Sequence, residues 1–114
     1  MPLDQRLVND IVVLDLSGRF TLESGAGRVK ERIATLLAED RTRFVLNLSQ
    51  LTAIDSAGLG ELVTCYSSVM RKGGTVKLAA LASRVREVLV VTKLVTVFDV
   101  YDTEADALAS FGRG

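Results

Sequence analysis

The sequence contains no histidine, and this absence removes several kinds of chemistry at once. Histidine is the commonest general base and the commonest metal ligand, and it activates serine and cysteine nucleophiles. The single cysteine, Cys65, cannot form an internal disulfide, and one thiol without histidine does not make a zinc site. We therefore expect a protein that is not an enzyme and that has no metal and no cofactor, and we interpret Cys65 as a small core residue.

Excess charge and long apolar runs are also missing. Fourteen basic residues balance fourteen acidic ones, and neither sign is clustered. This balance disfavours binding to nucleic acid, whose backbone is recognised by clustered Lys and Arg. The apolar runs are far shorter than the roughly 20 residues that span a bilayer, and the first residues lack the pattern of a signal peptide. We expect a cytoplasmic protein with no nucleic-acid partner and no membrane insertion.

Two glycines, Gly58 and Gly60, match a nucleotide-binding turn only in part. The third glycine of a dinucleotide fingerprint is replaced by Val63, and no Lys-Ser or Lys-Thr pair of a P-loop follows. Glycine in a helix costs about 0.8–1 kcal/mol relative to alanine, so both positions need a reason. Either the glycines leave the backbone accessible to a partner, or they let the helix pack closely on a sheet.

What is present is an alternation of short apolar runs and amphipathic segments, with 48% hydrophobic and 25% charged residues over the chain. This composition indicates one packed domain over residues 1–114. The alternation predicts an α/β fold in which crossover helices join a mostly parallel sheet. The first two predicted strands, 7–8 and 11–16, are joined by a turn at Asn9-Asp10, and the second of them ends at Ser17-Gly18. The other predicted strands are 44–48, 75–79 and 95–101.

Four helices are predicted from apolar residues at helical spacing and from capping residues. The first begins at Ala26 and the second follows Ser56 and ends at Arg71-Lys72. A third is capped by Ser83. A fourth runs from Asp102-Thr103 through Phe111. The inward face of the second is predicted to hold Leu59, Leu62, Val63, Tyr66, Val69 and Met70, and that of the fourth Ala105, Leu108 and Phe111.

The segment 52–62 places one hydroxyl, that of Ser56, between the carboxylate of Asp55 and two glycines at the start of the second helix. Unpaired backbone N–H groups and the positive end of the helix dipole favour an anion there, including a phosphate attached to the serine itself. Alternatively, Asp55 or Ser56 simply caps the helix, as both residue types commonly do. The residues alone leave both interpretations open.

Several segments together resemble the STAS domain of bacterial anti-sigma factor antagonists. They are 45–49, 54–60, Gly73-Gly74 and 97–102, so the resemblance covers essentially the whole chain. It implies a single STAS-type α/β domain with a mixed, mostly parallel sheet and helices packed against it. In that family the motif serine is phosphorylated by a serine kinase that is also the anti-sigma factor. The unphosphorylated antagonist binds this kinase and frees the sigma factor, and a PP2C-type phosphatase resets the switch.

The resemblance implies that Ser56 is the phosphoacceptor and that a contact patch surrounds it. The sequence departs from the family pattern at three positions. Many members carry aspartate where this chain has Thr21 and Asn47, and glycine is frequent where it has Lys93. A scaffold or regulatory subunit of a transporter or signalling assembly, with a constitutive interface, is the alternative. A nucleotide or small-molecule binder is a third reading, which the incomplete glycine motif disfavours. The partner-binding residues implied are Thr21, Asp55, Ala57, Gly58 and Leu59.

Overall fold

The described part of the chain, residues 1–112, alternates strands and helices in the computed structural model. Five strands and four α-helices make up this part, with one short 3-10 turn near its end. In chain order the elements are β1 (Leu3–Val8), β2 (Ile11–Phe20), α1 (Arg28–Ala38), β3 (Arg43–Ile54), α2 (Ser56–Arg71), β4 (Thr75–Ala79), α3 (Ser83–Val91), the 3-10 turn (Leu94–Thr96), β5 (Asp99–Tyr101) and α4 (Glu104–Ala109).

The strands form one sheet in the order β1-β2-β3-β4-β5. β1 and β2 are antiparallel and joined at Asn9-Asp10, whereas the three remaining pairs are parallel. Parallel neighbours need long crossover connections, and α1, α2 and α3 supply them. The predicted α/β fold with a mixed, mostly parallel sheet is therefore confirmed.

The sheet is covered unequally on its two faces. On one face, Leu14, Leu46 and Leu78 lie side by side on the three central strands and are buried under α1, α2 and α3. On the other face a smaller cluster, which includes Val13 and Val45, is covered by α4. The main core thus lies between the sheet and the three long crossover helices, of which α2 carries the candidate site.

The short helix α4 is held to its face by polar groups as well as by packing. The buried Lys77 donates from Nζ to the Ser110 hydroxyl at 2.6 Å and lies 4.4 Å from the centre of the Phe111 ring. At the helix start, Glu104 pairs with Arg6 across 2.6 Å. These contacts fix the C-terminal helix on the face opposite the candidate site.

The prediction that Ser17-Gly18 ends the second strand is wrong. β2 continues to Phe20, because register shifts after Asp15 and after Gly18 allow pairing with β3 to resume. β3 is correspondingly longer than predicted and runs to Ile54. The paired ends of β2 and β3 extend beyond the last residue of β3 that pairs with β4, and they place Phe20 beside the start of α2.

Several helix boundaries also differ from the prediction. α1 begins at Arg28 rather than Ala26, because Gly25 and Gly27 have positive φ angles of 85° and 115°. Ser83 is the first residue of α3 and not its cap, since Ala82 precedes it in extended backbone. Most of the predicted last strand is the 3-10 turn and the residues that follow it, and only Asp99–Tyr101 pairs with β4.

The last helix is shorter than predicted and turns a different residue inward. Thr103 caps α4 by accepting the Asp106 N–H at 3.0 Å, and the helix ends at Ala109 rather than Phe111. Ala107 is buried in the second cluster, and the predicted inward residue Ala105 is exposed. Residues two apart lie on nearly opposite sides of a helix, so the face of α4 that buries Ala107 leaves Ala105 in solvent.

Candidate phosphoacceptor and partner-binding site

Ser56 is the first residue of α2 and is exposed. β3 ends at Ile54, and only Asp55 separates that strand from α2. Asp55 has the extended backbone of a residue that precedes a helix, with φ −118° and ψ −173°. The strand and the helix therefore fix the backbone on both sides of the serine and turn its side chain towards solvent.

Asp55 is the helix cap, and it also contacts the end of β2. Its Oδ1 accepts the Gly58 N–H at 3.0 Å, while its Oδ2 accepts the Leu22 N–H at 3.0 Å. These backbone hydrogen bonds, first from Leu22 and then from Gly58, lower the pKa of the Asp55 carboxyl below its ordinary value. Position 56 is therefore next to a carboxylate that stays ionised at neutral pH, while the capping role belongs to Asp55 and not to Ser56.

The two glycines of the motif have different environments. Gly58 is buried against β2, where a Cβ would overlap the carbonyl oxygen of Phe20 and come within 2.9 Å of Ile54 Cγ1. Gly60 is exposed, and a Cβ there would meet no atom within 4 Å. Close packing therefore accounts for Gly58, whereas Gly60 leaves the outer backbone of α2 accessible.

Thr21 lies beside this site but is buried. Its Oγ1 accepts the Ser24 N–H at 3.3 Å, and its carbonyl oxygen accepts the N–H groups of Ser24 and Ala26. Leu22, the next residue, is 73% exposed although it is a large apolar side chain. Thr21 therefore shapes the turn, and Leu22 is the residue that this turn offers to solvent next to Asp55.

The apolar stripe of α2 is divided between the core and the surface. Leu62, Cys65 and Val69 are buried as the helical spacing predicts. Val63 and Met70, also predicted to face inward, are 37% and 49% exposed, because the line of closest contact with the sheet passes through the residues next to them. Ala57 and Leu59 are half-buried near the start of the helix, so partly exposed apolar residues follow Ser56 along α2.

Glu61 is a buried carboxylate that the sequence analysis did not single out. Its Oε1 accepts the N–H of Gly27, and its Oε2 accepts the N–H of Lys30 at 3.0 Å. The donors are Gly27, which precedes α1 and has no side chain to cap it, and Lys30 in the first turn of that helix. A glycine in the place of a capping residue is the signal that could have indicated a cap from another element.

Two departures from the family pattern have structural explanations. Asn47 lies on the α4 side of the sheet, where its Nδ2 donates to Glu104 Oε1 at 2.9 Å and its Oδ1 accepts the Ser49 N–H at 3.0 Å. Lys93 has a φ of 65°, a left-handed conformation that glycine adopts without strain. The Asn47 side chain thus forms structural hydrogen bonds, and Lys93 provides a turn. Neither residue belongs to the start of α2.

Three further features of residues 1–112 concern the thiol, groups that could bind a metal ion, and the lengths of the helices. Burial raises the pKa of the Cys65 thiol to about 12, so the thiol stays protonated and unreactive at neutral pH. No group of three or more acidic or cysteine side chains in this part of the chain is arranged to hold a metal ion. None of its helices is long and apolar enough to cross a bilayer.

Comparison with known proteins identifies the fold and the family. The family model of the STAS domain matches residues 3–107. A candidate anti-sigma factor antagonist of Thermotoga neapolitana is 31% identical over 103 residues, which cover 90% of this chain and 91% of that protein. The crystal structure of a candidate anti-sigma factor antagonist from Thermotoga maritima superposes with a TM-score of 0.89 at 28% identity, covering 97% of this chain and 95% of the other.

A third comparison concerns a structure of the Bacillus cell fate determinant SpoIIAA in its phosphorylated form. It has a TM-score of 0.75 at 19% identity and covers 96% of this chain and 99% of the other, a likeness that shows the fold alone. The chain belongs to the STAS domain family, and its relatives include candidate anti-sigma factor antagonists.

Proposed function

We propose that the protein is an anti-sigma factor antagonist controlled by phosphorylation of Ser56. In its unphosphorylated form it binds a serine kinase that is also an anti-sigma factor, and the sigma factor is released. A PP2C-type phosphatase removes the phosphate and restores binding. The observation that carries the proposal is the exposed hydroxyl of Ser56 at the start of α2, with the ionised Asp55 fixed beside it.

The charge of a phosphate explains how such a switch operates. Phosphorylation adds about −1.5 to −2 charges and three acceptor oxygens at one position. The added charge lies next to the carboxylate of Asp55, which binds the backbone N–H of the exposed Leu22, and close in sequence to the half-buried Ala57 and Leu59. Repulsion and desolvation then oppose docking of a partner, while the positive end of the α2 dipole partly offsets the charge within the fold. Binding is lost without unfolding.

The partner surface that we propose consists of exposed and half-buried groups around Ser56. Leu22 and Val63 supply apolar contact area, and Gly60 leaves the backbone open for close approach. Thr21 and Gly58 belong to the same site but are buried, so we assign them the role of shaping its backbone. The kinase and the phosphatase supply all the chemistry of the cycle, and the antagonist acts by binding. We place it in the cytoplasm, where sigma factors act.

Two substitutions of the same hydroxyl test the proposal. The partner kinase is first identified as the serine kinase that copurifies with the wild-type chain and phosphorylates it. S56A keeps the surface small and neutral, so it should bind this kinase as the wild type does and resist release by ATP. S56D adds a negative charge beside Asp55 and should bind more weakly.

Titration of both variants against the kinase, with circular dichroism melts to verify folding, distinguishes the two candidate functions. S83A and S83D are matched controls, because Ser83 is also the exposed first residue of a helix. Both Ser83 variants should bind as the wild type does. Equal affinity of folded S56A and S56D would rule out the charge switch and favour a constitutive interface.

A further inference from the structure

The segment Thr21–Gly27 is tied to α2 near both of its ends by carboxylates. At its start, Asp55 accepts the Leu22 N–H at 3.0 Å. At its end, Glu61 accepts the Gly27 N–H and, one turn into α1, the Lys30 N–H. The two carboxylates come from the residue before α2 and from its second turn, so the N-terminal part of α2 holds the segment at the exposed Leu22 and again at Gly27.

Between these two ties the segment is held mainly by turns within itself. The N–H groups of Ser24 and Ala26 donate to the Thr21 carbonyl, and that of Gly25 donates to the Leu22 carbonyl. The amino group of Met1 adds one contact, to the Ser24 carbonyl at 2.9 Å. Such turns fix the local shape of a segment but not its position on a helix. Asp55 and Glu61 therefore add side-chain ties to α2 between the buried Phe20 and Val29, which flank the segment.

Glu61 replaces a cap that the segment itself does not provide. Gly27 precedes α1 with a φ of 115° and has no side chain to accept the unpaired N–H groups of the first turn. The Glu61 carboxylate accepts two of them and adds a negative charge where the dipole of α1 favours one. It is also buried, so water does not readily replace it. Removing it leaves Gly27 and Lys30 without these acceptors.

We propose that Glu61 is a positioning residue for partner binding: it holds Thr21–Gly27 against α2 so that Leu22 stays beside Asp55, the neighbour of Ser56. The inference rests on the proposed function, because it assigns Leu22 and its segment to the kinase-binding surface. Glu61 lies inside the molecule and need not touch the kinase. A change at Glu61 should therefore weaken binding only when Leu22 is present. A general loss of stability would weaken binding whether or not Leu22 is present.

The first experiment measures amide hydrogen exchange in the isolated domain, without any partner. E61A should accelerate exchange at Gly27 and Lys30 by about tenfold or more, since both N–H groups lose their acceptor. E61Q keeps one amide oxygen and should give a smaller increase. T103A is the matched control, because it removes the cap of α4 on the opposite face of the sheet. It should leave the exchange of residues 21–30 unchanged.

The second experiment measures affinity for the partner kinase in a double-mutant cycle. L22A should weaken binding by about tenfold, as loss of an apolar anchor does. E61Q should weaken binding although residue 61 is buried and lies outside the interface. T103A should bind the kinase as the wild type does. The double variant E61Q/L22A should bind as L22A does, because both changes remove the same contact. Circular dichroism melts verify that every variant is folded.

The outcomes separate this inference from the proposed function. Unchanged exchange at Gly27 and Lys30 in E61Q and in folded E61A, or losses of affinity that add in the double variant, would overturn the positioning role even if S56A and S56D behave as proposed. Faster exchange combined with a coupled loss of affinity supports it. If the wild-type chain neither binds nor is phosphorylated by a serine kinase, the proposed function fails, and the assignment of Leu22 to a kinase surface fails with it.

Discussion

Gly58 packs directly against the backbone carbonyl of Phe20, with no room for a side chain between them. This contact joins the start of α2 to the end of β2, which is where the pairing of β2 with β3 also ends. A backbone carbonyl cannot rotate away as the end of a flexible side chain can. The contact therefore sets how closely α2, and Ser56 with it, approaches the sheet.

A methyl group at position 58 should consequently destabilise the fold. We expect G58A to lower the free energy of unfolding by roughly 1–3 kcal/mol, as overpacking typically does. G60A is the matched control, because a Cβ there meets open space. It should be neutral or stabilise by up to about 1 kcal/mol through better helix propensity. Urea denaturation measures both, and equal free energies for the two variants would contradict the close packing at Gly58.

The central leucines of the sheet and of α2 should carry a large share of the stability. Leu46 on β3 and Leu62 on α2 are both fully buried in the main core. Truncation of either to alanine should cost about 2–5 kcal/mol, the range for large-to-small core substitutions. V91A is the control, since Val91 is 80% exposed, and it should change stability by less than about 0.5 kcal/mol. Losses below about 1 kcal/mol at both leucines would contradict this core.

The sequence predicted the fold better than it predicted the site. Periodicity identified α2 and α3, and the apolar runs identified the buried centre of each long strand, because burial on one face leaves a pattern in the residues themselves. The extension of β3 to Ile54 was not predicted, since its second half contains polar residues that pair only with β2. The exposure of Val63 was also missed, because helical spacing gives a face but not its rotation on the sheet.

At the site, contacts between distant parts of the chain were beyond sequence reasoning. The pattern Asp55-Ser56 predicted that one of these two residues caps the helix, and the structure assigns the cap to Asp55 and leaves Ser56 exposed. The bond from Leu22 to Asp55 spans 33 residues, and that from Gly27 to Glu61 spans 34. Only the crossover from β2 through α1 to β3 brings these residues together, so no local pattern indicates either of them.

The lowered pKa of Asp55 should appear in the acid stability of the domain. A carboxyl whose pKa is lower in the folded than in the unfolded state stabilises the fold above its unfolded pKa. That contribution is lost as the pH falls through the folded value, below the ordinary 3.8. D55N is the matched variant, because asparagine also caps helices but does not ionise in this range.

The stability advantage of the wild type over D55N should therefore be largest near neutral pH and should shrink as the solution is acidified below about pH 4. Urea denaturation at several pH values measures this difference, and subtraction of the two curves removes the contribution of other carboxyls such as Glu104. A difference that stays constant from pH 7 to pH 2 would mean that the bonds to Leu22 and Gly58 do not depend on the charge of Asp55.

The ionic contacts of Arg6 give an independent prediction on the opposite face of the sheet. Arg6 pairs with Asp15 at 2.7 Å and with Glu104 at 2.6 Å, and its hydrogen bond is the main cause of the lowered pKa of Glu104. R6Q should raise that pKa towards its ordinary value. It should change stability by no more than about 1 kcal/mol, since the pair is partly exposed.

A carboxyl-carbon NMR titration of Glu104 measures the shift. R86Q serves as the control, because Arg86 pairs with Asp102 at 3.5 Å and should leave the pKa of Glu104 unchanged. An unchanged pKa in R6Q would mean that the contact to Arg6 is not maintained in solution, and that Asn47, the other side-chain donor to Glu104, holds the carboxylate alone.

Phosphate mapping is the most direct test of the assignment of Ser56. Exposure alone does not select this serine, because Ser67 and Ser83 are exposed as well. Ser67 lies in the middle of α2. Ser83 is the first residue of α3, but the residue before it, Ala82, has no side chain that can cap the helix. Only at Ser56 do an exposed hydroxyl, a helix start and a fixed neighbouring carboxylate coincide among these three.

Incubation with the partner kinase and ATP should therefore place a single phosphate on Ser56 and leave Ser67 and Ser83 unmodified. S56A should abolish incorporation, whereas S83A should incorporate phosphate as the wild type does, and peptide mass spectrometry locates the modified residue. The modified domain should keep its melting profile, because the first turn of α2 partly offsets the new charge. A phosphate found on Ser67 or Ser83 in place of Ser56 would overturn the assignment, since neither position combines the charge and the surface that the switch requires.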